Sequence, residues 1–251
     1  MTSVADTGIR GRAGSLWSHL GSEATRWSIA PVVAEVLFIL PLVGAVGIVL
    51  LRADSGAYRF VTDEDRLLEW PQFFGFAAAS LLACLCAWRL HRSGRLVLAA
   101  AYLAFGIGCF FVAGEEIAWG QRIIGYGTPE RLEEINEQKE TTVHNIDLVQ
   151  HFTNITYLIA GLYGSIGAWI VRGKGLWQRS GLVDLLLPPI FLTTAFFVMF
   201  GYKALRFAFF PESGFTVTRA GEWAEFCLAL GFSVFAFLQW RRLGRGGAAD
   251  L

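Results

Sequence analysis

A chain of 251 residues that is 54% hydrophobic and 14% aromatic, with a mean hydropathy of +0.48, is too apolar for an ordinary soluble domain. Its 21 basic and 21 acidic residues leave a formal net charge of zero, so no basic field suggests a nucleic-acid partner. The expected class is all-α: a polytopic transmembrane helix bundle of about six spans.

The first 28 residues are polar and read as a cytoplasmic tail. The first apolar run, Ile29 to Leu51, is too long for a signal-peptide core and no small-residue cleavage site follows, so it is expected to stay as a span. Five further runs follow: Trp70 to Leu90, Leu96 to Ala118, Leu148 to Val171, Leu182 to about Tyr202, and Ala220 to Trp240. Together they make a transmembrane domain over residues 29–240, with a loop at 119–147 and a basic tail at 241–251. Each run can cross a hydrocarbon core of about 30 Å at about 1.5 Å per residue. Pro188 and Pro189 predict a kink early in the fifth. Cys84, Cys86, Cys109 and Cys227 all lie inside apolar runs and read as small core residues rather than disulfides or zinc ligands.

Orientation follows from the connections. The N-terminal tail (Arg10, Arg12, Arg26), the second connection (Arg89, Arg92, Arg95), the fourth (Arg172, Lys174, Arg179) and the C-terminal tail (Arg241, Arg242, Arg245) carry basic residues with few acids. By the positive-inside rule these four are cytoplasmic, both termini are inside, and the chain is expected in a bacterial inner membrane. The first and third connections hold most of the acids, including Asp63, Glu64, Asp65, Glu69 and the stretch from Glu130 to Asp147. Thr128-Pro129-Glu130 is a helix-start signal, predicting a short surface helix from Glu130 to Glu140 with a solvated acidic face.

The third run ends in Glu115, Glu116, Trp119, Gln121 and Arg122. Ionisable groups in a span cost about 2.5–3.5 kcal/mol each at mid-bilayer and less near the interface, so they mark a site. Counting from the cytoplasmic ends places Glu115 roughly 29 Å deep, His151 roughly 30 Å, Lys203 roughly 32 Å and Glu225 roughly 23 Å, which brings four spans' ionisable groups to one outer level. Helical spacing puts Glu115, Trp119 and Arg122 on one stripe, with Glu116 about 100° away. Glu140, His144, Asp147, His151 and Asn154 form a polar stripe entering the fourth run, and Lys203 with Arg206 and Glu222 with Glu225 are i, i+3 pairs.

Carboxylates and imidazoles spread over several helices suit a divalent metal, zinc or iron, with His144, His151, Glu222 and Glu225 as ligands. Glu115, Glu116 and His144 are then the catalytic candidates, activating water or another nucleophile. Arg122, Lys203 and Arg206, with Trp119 and Gln121, would bind a phosphate or carboxylate of a lipid, lipid-linked or small-molecule substrate. The expected function is a membrane-embedded hydrolase or transferase at the outer face. The alternatives are a proton-coupled transporter, or an accessory subunit whose cluster is a set of structural ion pairs. Glu35 reads as a snorkelling acid, Asp184 as a helix-dipole partner, and Trp70 and Trp223 as interfacial belt residues.

Glu115-Glu116-Ile-Ala-Trp-Gly-Gln-Arg122 with Glu140-Thr-Thr-Val-His144-Asn145 resembles a pattern of bacterial integral membrane proteins that have no assigned activity. The same Glu pair also resembles the glutamate-dependent CAAX-type intramembrane proteases, whose pattern is Glu-Glu-x-x-x-Arg, then Phe-x-x-x-His, then His-x-x-x-Asn or Asp. That resemblance implies Glu and His residues activating water for peptide hydrolysis. Here Arg122 comes two residues late, neither His144 nor His151 has Phe four residues earlier, and Asp147 and Asn154 follow the histidines at three.

Overall fold

The computed structural model describes residues 16–63, 67–135, 141–143, 146–173, 181–210 and 214–245. Among them there is no strand, and six helices are long and apolar enough to cross a membrane: Pro31–Leu51, Glu69–Arg92, Leu96–Glu116, Leu148–Arg172, Gly181–Phe209 and Thr216–Gly244.

A helix over 16–26 (α1) precedes the first span, α2 (Pro31–Leu51), which starts on a proline whose missing N–H costs nothing there. A short helix, α3 (Ser55–Thr62), is capped by Asp54, which accepts from the N–H groups of Gly56 at 2.9 Å and Ala57 at 3.1 Å. The second span, α4 (Glu69–Arg92), carries Glu69 in its first turn and Arg89, His91 and Arg92 in its last, matching its dipole. The third is α5 (Leu96–Glu116), and the connection after it holds α6 (Gln121–Ile124) and α7 (Glu130–Ile135), the surface helix expected after Pro129. Residues 136–140 of that expected helix lie outside the described residues.

The fourth span is α8 (Asp147–Leu162), a single π turn over Tyr163–Gly167, and α9 (Ala168–Gly173). The fifth is broken rather than kinked: α10 (Gly181–Leu186) stops before Pro188-Pro189, and after a 3-10 turn α11 (Thr193–Phe209) runs on past Lys203 and Arg206. Two adjacent residues without N–H groups interrupt the ladder outright. A short α12 (Phe215–Arg219) leads into the last span, α13 (Gly221–Gly244).

α13 lies between α4 and α11; α4 packs on α5, and α11 packs on α8 and α2. Phe232 of α13 centres the core, with Phe76, Phe105 and Phe196 at ring distances of 6.4, 5.0 and 5.5 Å. Helices gain little from the hydrophobic effect within a membrane, so close packing must hold them together. Gly161 shows how: a Cβ there would come within 2.6 Å of the Phe200 backbone nitrogen, so α8 and α11 touch backbone to backbone. Trp223 locks two helices together. Its indole donates to the Pro41 carbonyl at 3.0 Å and its ring occupies the space beside Gly44.

Both described chain ends lie at one end of the bundle, the terminal end; the distal end carries the connections after α2, α5 and α11. The terminal end is closed by a buried ion network that hydropathy does not reveal. α1 buries Leu20 and Ala24 and brings Glu23 to Arg172, whose Nη1 lies 3.0 Å from Glu23 and 3.5 Å from Asp184. Asp184 also pairs with Arg26 and with Arg242, the latter at 2.8 Å, and so does more than complement its own helix. Arg172 donates in addition to the carbonyls of Leu187 and Pro188, 3.0 Å each, which the proline break leaves without helical partners. Burial pushes the Glu23 carboxyl up, against the opposing pulls of Arg172 and of the Ile190 N–H.

Candidate functional site

α5 ends abruptly after Glu116 because Ala118, Trp119 and Gly120 all take left-handed backbone, with φ of 45°, 53° and 82°. That conformation suits glycine but costs an alanine or a tryptophan roughly 1–2 kcal/mol. The contacts of the Trp119 ring compensate. It lies over Gly114, where a Cβ would sit 2.8 Å from it, and meets Phe110 and Phe111 edge-on at 5.9 and 5.7 Å. The expected stripe of Glu115, Trp119 and Arg122 is therefore no helical stripe, although Trp119 still reaches Glu115 by doubling back.

Both oxygens of Glu115 are engaged. Oε1 accepts from the Trp119 indole at 2.5 Å and Oε2 from the Val143 N–H at 2.7 Å. Gln121 does similar work, donating to Thr128 Oγ1 at 2.8 Å and accepting from the Thr141 N–H at 2.7 Å. These two side chains fasten the far end of the long connection to its near end. Replacing Glu115 by alanine removes charge-assisted bonds of about 1.5–3 kcal/mol, so amide hydrogen exchange over 118–128 and 141–143 is expected to quicken roughly tenfold to a hundredfold. Exchange unchanged there would contradict this role.

Glu116 turns to a different setting. It is partly buried, and its charged neighbours are Glu225, Glu222, Glu69 and Glu115, in decreasing order of influence. Among the described residues no hydrogen bond or ion pair reaches its carboxylate. Around it, Lys203 is 3% exposed, donates to Asn154 Oδ1 at 2.7 Å and pairs with Glu225 at 3.6 Å. The Lys203 ammonium also lies over the rings of Tyr157 at 5.2 Å and Tyr202 at 5.4 Å. Arg206 reaches Tyr202, and Glu222 pairs with Arg219 at 3.9 Å. Six helices thus contribute to one polar cluster at the distal end: α4, α5, α8, α11, α12 and α13.

Of the expected metal ligands, Glu222 and Glu225 belong to this cluster. His151 is exposed and stands edge-on to Phe207 at 6.4 Å, while His144 lies outside the described residues. Among the described residues no three His, Cys, Asp or Glu side chains are grouped as a metal ion requires. The polar stripe is also not one helix, because Val143 and Ile146 are non-helical and α8 begins at Asp147. The side chains of Asp147 and Arg122 are not described, and Glu140 lies outside the described residues.

The sequence spacing names Asn154 on a stripe without joining it to Lys203, and it does not single out Gln72, which is fully buried on α4 and donates to the Glu222 carbonyl at 2.7 Å and to its carboxylate at 3.2 Å. The signal for Gln72 was its place three residues after Glu69, on the same face of a span.

In its terminal half the bundle also holds an apolar cleft of about 280 Å³ between α2, the π turn, α9 and α11, lined by Phe38, Ile166, Trp169, Ile170, Thr193 and Phe197. Thr193 accepts from Trp169 and donates to Ile190, so its hydroxyl is already used within the protein.

The chain matches no protein-family model, no curated protein and no solved structure, so the chemistry of the cluster has to be argued from its own residues.

Proposed function

We propose that this protein is a membrane-embedded hydrolase or transferase that acts on a lipid or lipid-linked substrate at the distal face, with Glu116 as the proton acceptor. The observation that carries the reading is the Glu116 carboxylate, which has no hydrogen-bond or ion-pair partner among the described residues, in a cluster where Glu115, Glu222 and Glu225 are held in hydrogen bonds or ion pairs. A carboxylate with no donor bound keeps its lone pairs for a proton on the attacking group. Lys203, held by Asn154, pairs with Glu225 and lies over the Tyr157 ring, and Arg206 and Arg122 remain the groups suited to a substrate phosphate. By the positive-inside rule the distal face is the outer one, and the setting is a bacterial inner membrane.

The test is turnover of lipid extracts and lipid-linked esters, amides and phosphoesters by the purified protein, beside Glu116→Gln. A proton-coupled carrier is the second reading, favoured by the surplus of carboxylates around Glu116. Vesicles holding the protein would then take up solute under a pH gradient, and Glu116→Gln would stop the uptake while no lipid was consumed.

A further inference from the structure

The apolar cleft of the terminal half is walled by membrane spans: Phe38 comes from α2, Ile166 from the π turn, Trp169 and Ile170 from α9, and Phe197 from α11. Ile166, Trp169, Ile170 and Phe197 are all exposed, so the cleft opens outward, where a span meets bilayer hydrocarbon. Its few polar groups are used within the protein. The Trp169 indole donates to Thr193 Oγ1 at 2.9 Å, and Thr193 donates to the Ile190 carbonyl at 2.6 Å. Thr194 donates to the Phe38 carbonyl at 2.7 Å, and Ser165 donates to the Gly161 carbonyl. A polar occupant would therefore meet no uncommitted side-chain donor here, and a buried polar group without a partner costs roughly 1–3 kcal/mol. Water is disfavoured for the same reason, since it needs polar partners of its own.

Size then decides between an apolar helix and an apolar chain. The cleft holds about 280 Å³, whereas one turn of helix, about 10 Å across and about 5.4 Å high, fills roughly 400 Å³. A helix of a partner or of a second copy cannot enter, but a chain one carbon wide can. The π turn over Tyr163–Gly167 borders the cleft, and the break at Pro188-Pro189 lies just before Thr193, so the fourth and fifth spans both depart from regular helix beside it. Single π turns recur at functional sites. We infer that this cleft holds one hydrocarbon chain of a bilayer lipid. The chain supplies dispersion contacts that the lining side chains otherwise lack on that side. This lipid site is separate from the distal cluster and does not depend on the role of Glu116.

The experiment reconstitutes the protein with phosphatidylcholine that carries a photoreactive diazirine midway along one chain, then strips loosely held lipid in detergent. Native mass spectrometry is expected to find one lipid retained per wild-type chain. Irradiation should attach it to peptides containing Ile166 to Ile170 or Phe197. Ile166→Trp and Ile170→Trp each enlarge a lining side chain, and with unchanged thermal midpoints should retain roughly tenfold less lipid or lower still. Where one of the two fails to fold, the other carries the comparison. Val43→Trp, exposed on α2 and outside the lining, should retain lipid as wild type does. Phosphatidylglycerol of the same chains should be retained as well as phosphatidylcholine, because the chain and not the headgroup is held. Wild type without retained lipid, label spread evenly onto exposed residues such as Val43 and Val46, or full retention in the folded tryptophan variants overturns the inference. So does a tenfold preference for one headgroup, or a two-chain mass whose cleft peptides are joined to each other. Glu116→Gln should keep the lipid, so loss of the enzymatic reading leaves this site standing, and loss of this site leaves that reading untouched.

Discussion

Arg172→Ala is expected to lower the stability of the purified protein by about 3–5 kcal/mol, the usual penalty for removing one partner from a buried ion network. The substitution removes the ion pair of the buried Glu23 carboxylate and one of the three of Asp184, and uncovers the Leu187 and Pro188 carbonyls that close the broken fifth span. Arg172→Lys should restore only part of the loss, because one ammonium cannot fork to four acceptors. The penalty also has a pH sign. Without Arg172 the Glu23 carboxyl, already pushed up by burial, keeps its proton more strongly when folded than when unfolded. The folded state then binds more protons, so the variant loses further stability as pH rises above the ordinary carboxylate range. Thermal or denaturant unfolding in detergent across that range measures both effects. A change within about 0.5 kcal/mol would mean that α1 and the fifth span are held by something else.

Gly161→Leu is the second large effect. Leucine must enter where the Phe200 nitrogen and Cα would lie 2.6 and 2.9 Å from its Cβ, and where the Phe196 carbonyl would lie at 3.0 Å. Those neighbours are backbone and cannot swing aside, so α8 and α11 must separate, at a cost at or above the usual 1–3 kcal/mol, roughly, of overpacking. Separation would also move Asn154 away from Lys203 and loosen the distal cluster. Gly47→Ala is the matched control, because a Cβ there meets nothing within 4 Å, and it should be neutral or slightly stabilising. Comparable loss in both variants, read as thermal midpoints, would remove the argument from close packing.

The contrast between the two ends of the bundle explains what could be read from the chain. Six apolar runs announced six spans, because each had to be long and apolar enough to cross on its own. The distal cluster was legible for a similar reason: Glu115, Glu116, Lys203, Glu222 and Glu225 are conspicuous in apolar surroundings, and counting residues along straight helices gives their depth. Roles within the cluster were less legible. The stripe from Glu115 to Arg122 presumed a helix that continues, and the left-handed residues at 118–120 end it. That break sends Glu115 into the connection and leaves Glu116 facing the other spans. The terminal network could not be read at all. Glu23 and Arg172 are 149 positions apart, and α1 is a short helix with few apolar residues, so neither periodicity nor hydropathy joins them.

The reading of the distal cluster stands or falls on one comparison: mass spectrometry of whole lipid extract incubated with wild type, Glu115→Gln and Glu116→Gln in equal amounts. The account predicts a lipid or lipid-linked species consumed by wild type, a rate lowered about a hundredfold or more in Glu116→Gln, and a far smaller loss in Glu115→Gln. Full turnover by Glu116→Gln, or a loss confined to Glu115→Gln, would contradict it.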